Sequence, residues 1–180
     1  LGTKAFYSSA HAAGPEDTIL LHRDKHPNTL GVMQLAASAK PYSFLLLDIQ
    51  AARVTHVVAL EGSQVGVGPD AAPLASLGGL VVLASQEGAL AQAAHVVLPS
   101  ASWAEASGTY VNAKGMAQVA EKAIEPLGSS LPAWHHLANL AKAMGLEPSW
   151  SKLKEIRAAL TAPRGSVAPK APSTPPNPVQ

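Results

Sequence analysis

The chain has 180 residues, 47% of them hydrophobic and 14% charged, with a formal net charge of +1. That length is enough for one domain with a sizeable core, and the near-neutral balance leaves no basic stripe for nucleic acid. There is no cysteine, which excludes disulfides, thiolate zinc sites and cysteine-ligated iron–sulfur clusters within this segment.

The longest apolar runs, Phe44–Leu47 and Leu80–Ala84, fall far short of the ~20 residues a membrane-spanning helix needs. The first residue is Leu1, with no basic-then-apolar leader behind it, so the chain reads as a fragment, a processed product or one part of something longer.

Residues 1–16 are small and polar and read as a loop, or as the continuation of missing upstream sequence. Thr18-Ile19-Leu20-Leu21-His22 predicts a short buried strand, and Pro27 and Gly31 mark a turn after it. Residues 29–39 fit a short helix ending before Pro41. A second helix is expected over 42–52, with Pro41 at its start and Leu46 and Ile49 on one face. Strands follow at Thr55–Leu60, closed by Gly62, at Leu80–Ser85 and at His95–Leu98, with a short helix in "QEGALAQAA" before the last of them. Short, continuously apolar strands alternating with helices are the pattern of a parallel sheet covered on both faces. The expected fold is therefore α/β, a Rossmann-like parallel layer with flanking helices.

From Pro99 to Gln118 the chain reads as a long polar loop. Two helices come next. Ser129 or Ser130 can cap the first, Pro132 sits in its first turn and Gly145 ends it. Its apolar positions are Leu131, Trp134, Leu137, Leu140, Ala141 and Met144. The second spans about 150–161, with Trp150, Leu153, Ile156 and Leu160 on one side. Beyond Pro163 the composition is rich in Pro, Ala and Ser, as in a flexible tail. The expected organisation is residues 1–16 as an N-terminal loop, 17–125 as the α/β domain, 126–162 as a helical pair and 163–180 as the tail.

Few residues offer chemistry. His22 and His26 flank Asp24, but a strand and Pro27 deny them a shared helical face for a metal. His135 and His136 are neighbours on a helix and point in different directions. "GSQVGVGPD" (62–70) is glycine-rich after a strand, yet it matches neither G-x-G-x-x-G nor a P-loop and reads as a flexible loop at the end of a sheet strand. Ser100 and Ser102 lie near His95 and Glu105 in sequence but lack the elbow that exposes a nucleophile. No catalytic residue and no metal site is assigned.

One segment is more specific. Ala94, Val96-Val97-Leu98-Pro99, Glu105, Gly108-Thr109-Tyr110, Asn112, Gly115 and Gln118 together resemble a pattern of the molybdopterin-oxidoreductase family. "DTILLHRDKHPNTLGVMQL" (17–35) and "VTHVVALEGSQ" (54–64) resemble earlier strands of the same family, so the likeness runs over about 17–145. Met116, Lys114 and His95 depart from it, standing where Arg, Glu and Asp are usual. Losing that Arg removes a five-donor fork suited to carboxylate or phosphate.

Within the family, the helical ending resembles the branch of large iron–sulfur subunits of NADH-quinone oxidoreductase (respiratory complex I). The resemblance implies a structural and docking role, with Glu105 and Asn112 accepting backbone N–H groups and Gly108 and Gly115 permitting tight turns. It implies iron–sulfur clusters elsewhere in the parent subunit and no cofactor in this segment. Its implied partners are upstream domains of the same subunit and the other peripheral-arm subunits, without membrane insertion. Its implied place is the cytoplasmic face of a bacterial inner membrane, or the matrix side in a mitochondrion. The alternative is the cofactor-binding portion of a molybdopterin-dependent enzyme such as a formate dehydrogenase. Pterin contacts would then come from Gly62, Gly66, Gly68, Glu105, Thr109, Asn112 and Gln118.

Overall fold

A computed structural model describes residues 5–8, 14–24, 27–36, 38–61 and 71–161. The expected tail 163–180 and the glycine-rich loop 62–70 lie outside the described residues. The chain separates into two compact units, one running to Ala133 and the other beginning at Trp134.

The first unit is built on a three-stranded parallel sheet of β3 (His56–Glu61), β4 (Gly79–Ala84) and β5 (Val96–Pro99), in the order β3-β4-β5. Its register sets Val57 against Leu80 and Ala59 against Val82, and then Val82 against Val97. The parallel α/β fold expected from the sequence is the fold observed. Two short strands, β1 (Tyr7–Ser8) and β2 (Lys40–Pro41), form a separate parallel pair. A third sheet is the antiparallel hairpin of β6 (Gly108–Val111) and β7 (Ala117–Ala120).

Side chains alternate between the two faces of a strand, and here one face collects most of the core, with Leu83 buried on the other. Leu80, Val82 and Ala84 of β4 pack with Leu45 of α2 (Tyr42–Gln50), Leu74 of a 3-10 turn (Ala72–Ser76) and Leu90 of α3 (Ala89–Ala93). Leu80 and Val82 have no solvent exposure. Burying a side chain of that size contributes about 1.5–3 kcal/mol, so this cluster dominates the unit. Helix α2, the 3-10 turn and α3 therefore sit on one face of the sheet.

Helix α2 is held at its end by a polar cluster. Asp48 is buried, and it accepts hydrogen bonds from the Tyr7 hydroxyl at 2.5 Å and from Arg53 Nε at 2.8 Å, with Lys40 Nζ 3.6 Å away. The Tyr7 and Arg53 bonds hold the Asp48 carboxyl below its ordinary range, and the same Tyr7–Asp48 bond pushes the phenol up. Backbone bonds from Ala52 N to Ile49 O and from Arg53 N to Asp48 O close the helix in a Schellman turn. That turn places Ala52 at a positive φ of 53°.

The expected strand Thr18–His22 is not formed. Asp17 Oδ1 accepts the backbone N–H groups of Ile19, Leu20 and Leu21 at 2.6–2.9 Å, which curls the segment. Ile19 and Leu20 are left 84% and 87% exposed instead of buried. The helix expected over 29–39 is shorter, α1 (Thr29–Leu35), because the chain straightens into β2 by Lys40.

The second unit holds most of α4 (Ala133–Ala143) and all of α5 (Leu153–Thr161). Neither Ser129 nor Ser130 caps α4. Leu131 is still extended, bridged to Ser100, so the helix begins only at Ala133. Its end is as expected: Gly145, at φ 74°, donates to Lys142 O while Leu146 N bonds Ala141 O. Trp134 and Trp150 meet edge to face at 6.2 Å. Glu155 opens α5 by accepting the N–H groups of Ser151 and Lys152, and these bonds lower its pKa.

Candidate functional site

The segment following β5 is not a loop. It runs through a turn at 102–105, forms the β6–β7 hairpin, and returns along 121–131 to the end of β5. Glu105 ties the two legs together. One carboxylate oxygen accepts Ser102 N at 2.8 Å and the other accepts Leu127 N at 3.0 Å. The bonds to Ser102 come first, and with the Leu127 bond they lower the Glu105 pKa. Ala104 O accepts both Ala123 N and Ile124 N, and Ser107 links to Glu121 and Lys122.

Asn112 organises the hairpin turn. Its side-chain oxygen accepts the N–H groups of Lys114 and Met116, each at 3.0 Å. Its own N–H donates to Met116 O, while Gly115 N donates to Asn112 O. Gly115 takes φ 81°, where a Cβ would be strained, so the turn requires glycine there. Gly108 does not turn at all: it lies within β6, paired with Ala120, and has no positive φ.

The hairpin register separates Thr109 from Gln118. Thr109 pairs with Val119 and Gln118 with Tyr110, so alternation sends the Thr109 and Gln118 side chains to opposite faces. Both are exposed. Of the seven residues considered for a pterin, Gly62, Gly66 and Gly68 lie outside the described residues. Glu105 and Asn112 are spent on backbone donors, and Thr109 and Gln118 do not converge.

Among the described residues, His95 and Ser100 are not brought together for hydrolysis. His95 stands at the start of β5, its Nδ1 accepting Leu80 N–H at 3.1 Å. Ser100 is buried at the far end of the same strand, five residues on, or about 16 Å at ~3.3 Å per residue. Among the described residues no three His, Cys, Asp or Glu side chains could hold one metal ion. His22 Nδ1 accepts Asp24 N–H at 3.2 Å, and His26 lies outside the described residues. On α4, His136 is buried and His135 packs against the edge of Trp134 at 3.7 Å.

Asn28 stands in the segment 17–35 that carries the family resemblance, but the sequence assigned it no role. Its side-chain oxygen accepts Val111 N–H at 2.8 Å, tying the start of α1 to β6. Beside this bond lies a shallow pocket of about 290 Å³, lined by His22, Asp24, Thr29, Leu30, Met33, Val111 and Ala113. The signal available was Gly31, three residues on and buried, where a Cβ would come within 2.3 Å of Asn28 Oδ1.

Residues 71–143 match the family model described as molybdopterin oxidoreductase, a span running from the 3-10 turn through the hairpin to the end of α4. The G subunit of NADH-quinone oxidoreductase from Rickettsia bellii is 42% identical over 67 residues, 37% of this chain and 10% of that protein. The protein of the same name from Shewanella oneidensis is 32% identical over 144 residues, 75% of this chain and 16% of its own length. The alpha subunit of F420-dependent formate dehydrogenase from Methanocaldococcus jannaschii is 40% identical over 68 residues, 37% of this chain and 10% of that protein. The aligned part of this chain thus spans 10% to 16% of the length of these relatives.

Proposed function

Since residues 71–143 match the molybdopterin oxidoreductase family and the chain is similar to part of the G subunit of NADH-quinone oxidoreductase, we propose that it is a non-catalytic structural and docking domain of such a subunit. The observation that carries this reading is the internal use of Glu105 and Asn112. Both direct their acceptors at the chain's own backbone: Glu105 braces the return of segment 121–131 through Leu127, and Asn112 closes the hairpin turn at Lys114 and Met116. A residue committed in this way positions the chain's own structure.

Docking is supported by what the sheet leaves open. Parallel sheets are normally covered on both faces, yet Leu60 of β3 is 61% exposed and Val96 of β5 is 48% exposed. In the proposed setting the chain packs against upstream domains of the same subunit and joins the peripheral arm. The parent complex carries electrons from NADH to quinone, with its iron–sulfur clusters outside this segment. No helix among the described residues is long and apolar enough to cross a membrane, which suits a peripheral position at the cytoplasmic or matrix face.

A second reading has one observation in its favour, the likeness to the alpha subunit of a formate dehydrogenase. It would make this segment part of a molybdopterin site. The opposite-facing Thr109 and Gln118 fit no single cradle for such a group, so no step is derived through it.

The test is mass spectrometry of the proteins recovered with this chain from gently solubilised membranes. Flavin- and iron–sulfur-bearing NADH dehydrogenase subunits are the expected companions. Recovery of the chain alone, or with molybdenum-cofactor proteins, would overturn the docking proposal.

A further inference from the structure

The two edges of the parallel sheet are not equivalent. At the β5 edge, Leu131 N donates to Pro99 O at 3.2 Å and Ala101 N to Leu131 O at 2.9 Å. Pro99 itself has no N–H to offer, so that edge is blunted at its end. At the other edge, β3 has no such cover. Thr55 O accepts Gly78 N and Gly79 N at 2.9 and 3.3 Å, which fixes the phase of the ladder. With that phase, Thr55, Val57 and Ala59 turn their backbone groups toward β4. The N–H and C=O groups of His56, Val58 and Leu60 point away from it. Among the described residues nothing pairs with these outward groups.

The same three residues place their side chains on the face opposite the core, because Val57 and Ala59 pack against the core cluster. On that opposite face Leu83 of β4 is buried, but Leu60 beside it at the β3 edge is 61% exposed; Leu45 of α2, Leu74 of the 3-10 turn and Leu90 of α3 all belong to the other side. In a doubly wound sheet, helices change faces where the strand order reverses. Here the chain adds β3, β4 and β5 in one direction with the described helical segments between them, the 3-10 turn and α3, on one face, which puts the reversal beyond β3.

We infer that the outer edge of β3 is an interface for one further parallel strand, supplied with its following helix by another part of the parent subunit. The strand pairs with the outward groups of His56, Val58 and Leu60, and the helix covers Val58 and Leu60. The relatives leave ample chain for such a unit, since what aligns here is only 10% to 16% of their length. This inference rests on the docking reading above and names the surface it uses.

Residue-resolved hydrogen exchange tests it in the intact assembly recovered from membranes. The amides of His56, Val58 and Leu60 are expected to be protected there as strongly as those of Val57 and Ala59. In the 180-residue chain alone they should exchange freely while the β4 amides remain protected. Free exchange of the outward amides within an assembly that contains the NADH dehydrogenase subunits would overturn this inference and leave the docking reading standing. Failure to recover those subunits would overturn the docking reading itself. Protection that appears in the chain alone, rising with its concentration, would identify a second copy as the occupant and overturn the inference as well.

A variant gives an independent measure. Val58→Pro removes an N–H that has no partner among the described residues, which an edge strand tolerates. Main-chain bonds supply most of the affinity in strand addition, so in the assembly the amides of His56 and Leu60 should lose protection by about tenfold or more. Protection equal to that of the wild type, with the proline shown to be in place, would overturn the inference.

Discussion

Asn28 and Val111 lie 83 positions apart, and a 2.8 Å hydrogen bond from the Val111 N–H to the Asn28 side chain joins them. It fastens α1 to the β6–β7 hairpin, and Gly31 makes room for it. A Cβ on Gly31 would reach within 2.3 Å of the accepting oxygen and 3.1 Å of Val111 Cγ2. The two residues therefore form one device.

Removing the acceptor leaves a half-buried N–H without a partner, so Asn28→Ala should destabilise the chain by about 1–3 kcal/mol. Gly31→Ala should cost a comparable amount by displacing Asn28. Because both changes break the same bond, they should not add. In the Asn28→Ala background the penalty of Gly31→Ala should shrink by at least about 0.5 kcal/mol. Urea unfolding of the four proteins in the cycle checks this, and additive penalties would mean the bond is not what Gly31 protects.

The Glu105 carboxylate sets an acid limit. The bonds that it accepts from Ser102 and Leu127 hold its pKa below the ordinary 4.5. The folded chain then binds fewer protons at this site than the unfolded chain as pH falls below 4.5. Its contribution is therefore fully present above about 4.5 and is lost as pH falls through the lower, folded value. Glu105→Gln, which keeps the shape but not the charge, should melt earlier than the wild type near about pH 7, and that gap should narrow as pH falls below about 4.5. Thermal melts over a descending series of pH values check it, and a gap that does not change with pH would remove the carboxylate clamp.

Helix α2 ends with a residue poorly suited to its place. Ala52 sits at φ 53°, in the left-handed region where a Cβ crowds the carbonyl. Relief of that crowding is partly offset by the greater freedom glycine has in the unfolded chain, so Ala52→Gly should stabilise by about 0.5–1 kcal/mol. A lower denaturation midpoint for this variant would show that the Schellman turn is not strained.

The parts of the fold that could be read in the sequence were those with uninterrupted apolar runs. Val57 to Leu60, Leu80 to Leu83 and Val96 to Leu98 each announce a buried parallel strand, and each is a parallel strand. Ile19-Leu20-Leu21 carry the same signal and fail, because Asp17 captures three successive N–H groups and local bonding wins over burial. The roles of Glu105 and Asn112 were legible because short polar side chains beside glycines commonly serve backbone donors. The hairpin was not, since Tyr110 and Val111 face Gln118 and Ala117 without clear alternation of apolar and polar residues. Asn28 was out of reach for another reason: its partner is distant in sequence, and no local pattern records such a bond.

Gly108 and Gly115 look equivalent in the sequence and should respond differently to the same change. Gly108 lies in β6 with ordinary extended pairing, and a Cβ there would meet only Tyr110 Cε2 at 3.8 Å, a normal contact. A β-branched residue suits such a position, so Gly108→Val should leave the melting temperature nearly unchanged. Gly115 is held at φ 81° by the bonds of the Asn112 turn. Valine at that φ costs about 1–3 kcal/mol, and it should loosen both N–H bonds to Asn112 Oδ1. Melting curves, together with exchange of the Lys114 and Met116 amides, separate the two cases. Equal loss of stability would mean that β6 begins in a turn after all, and the register pairing Gly108 with Ala120 would have to be abandoned.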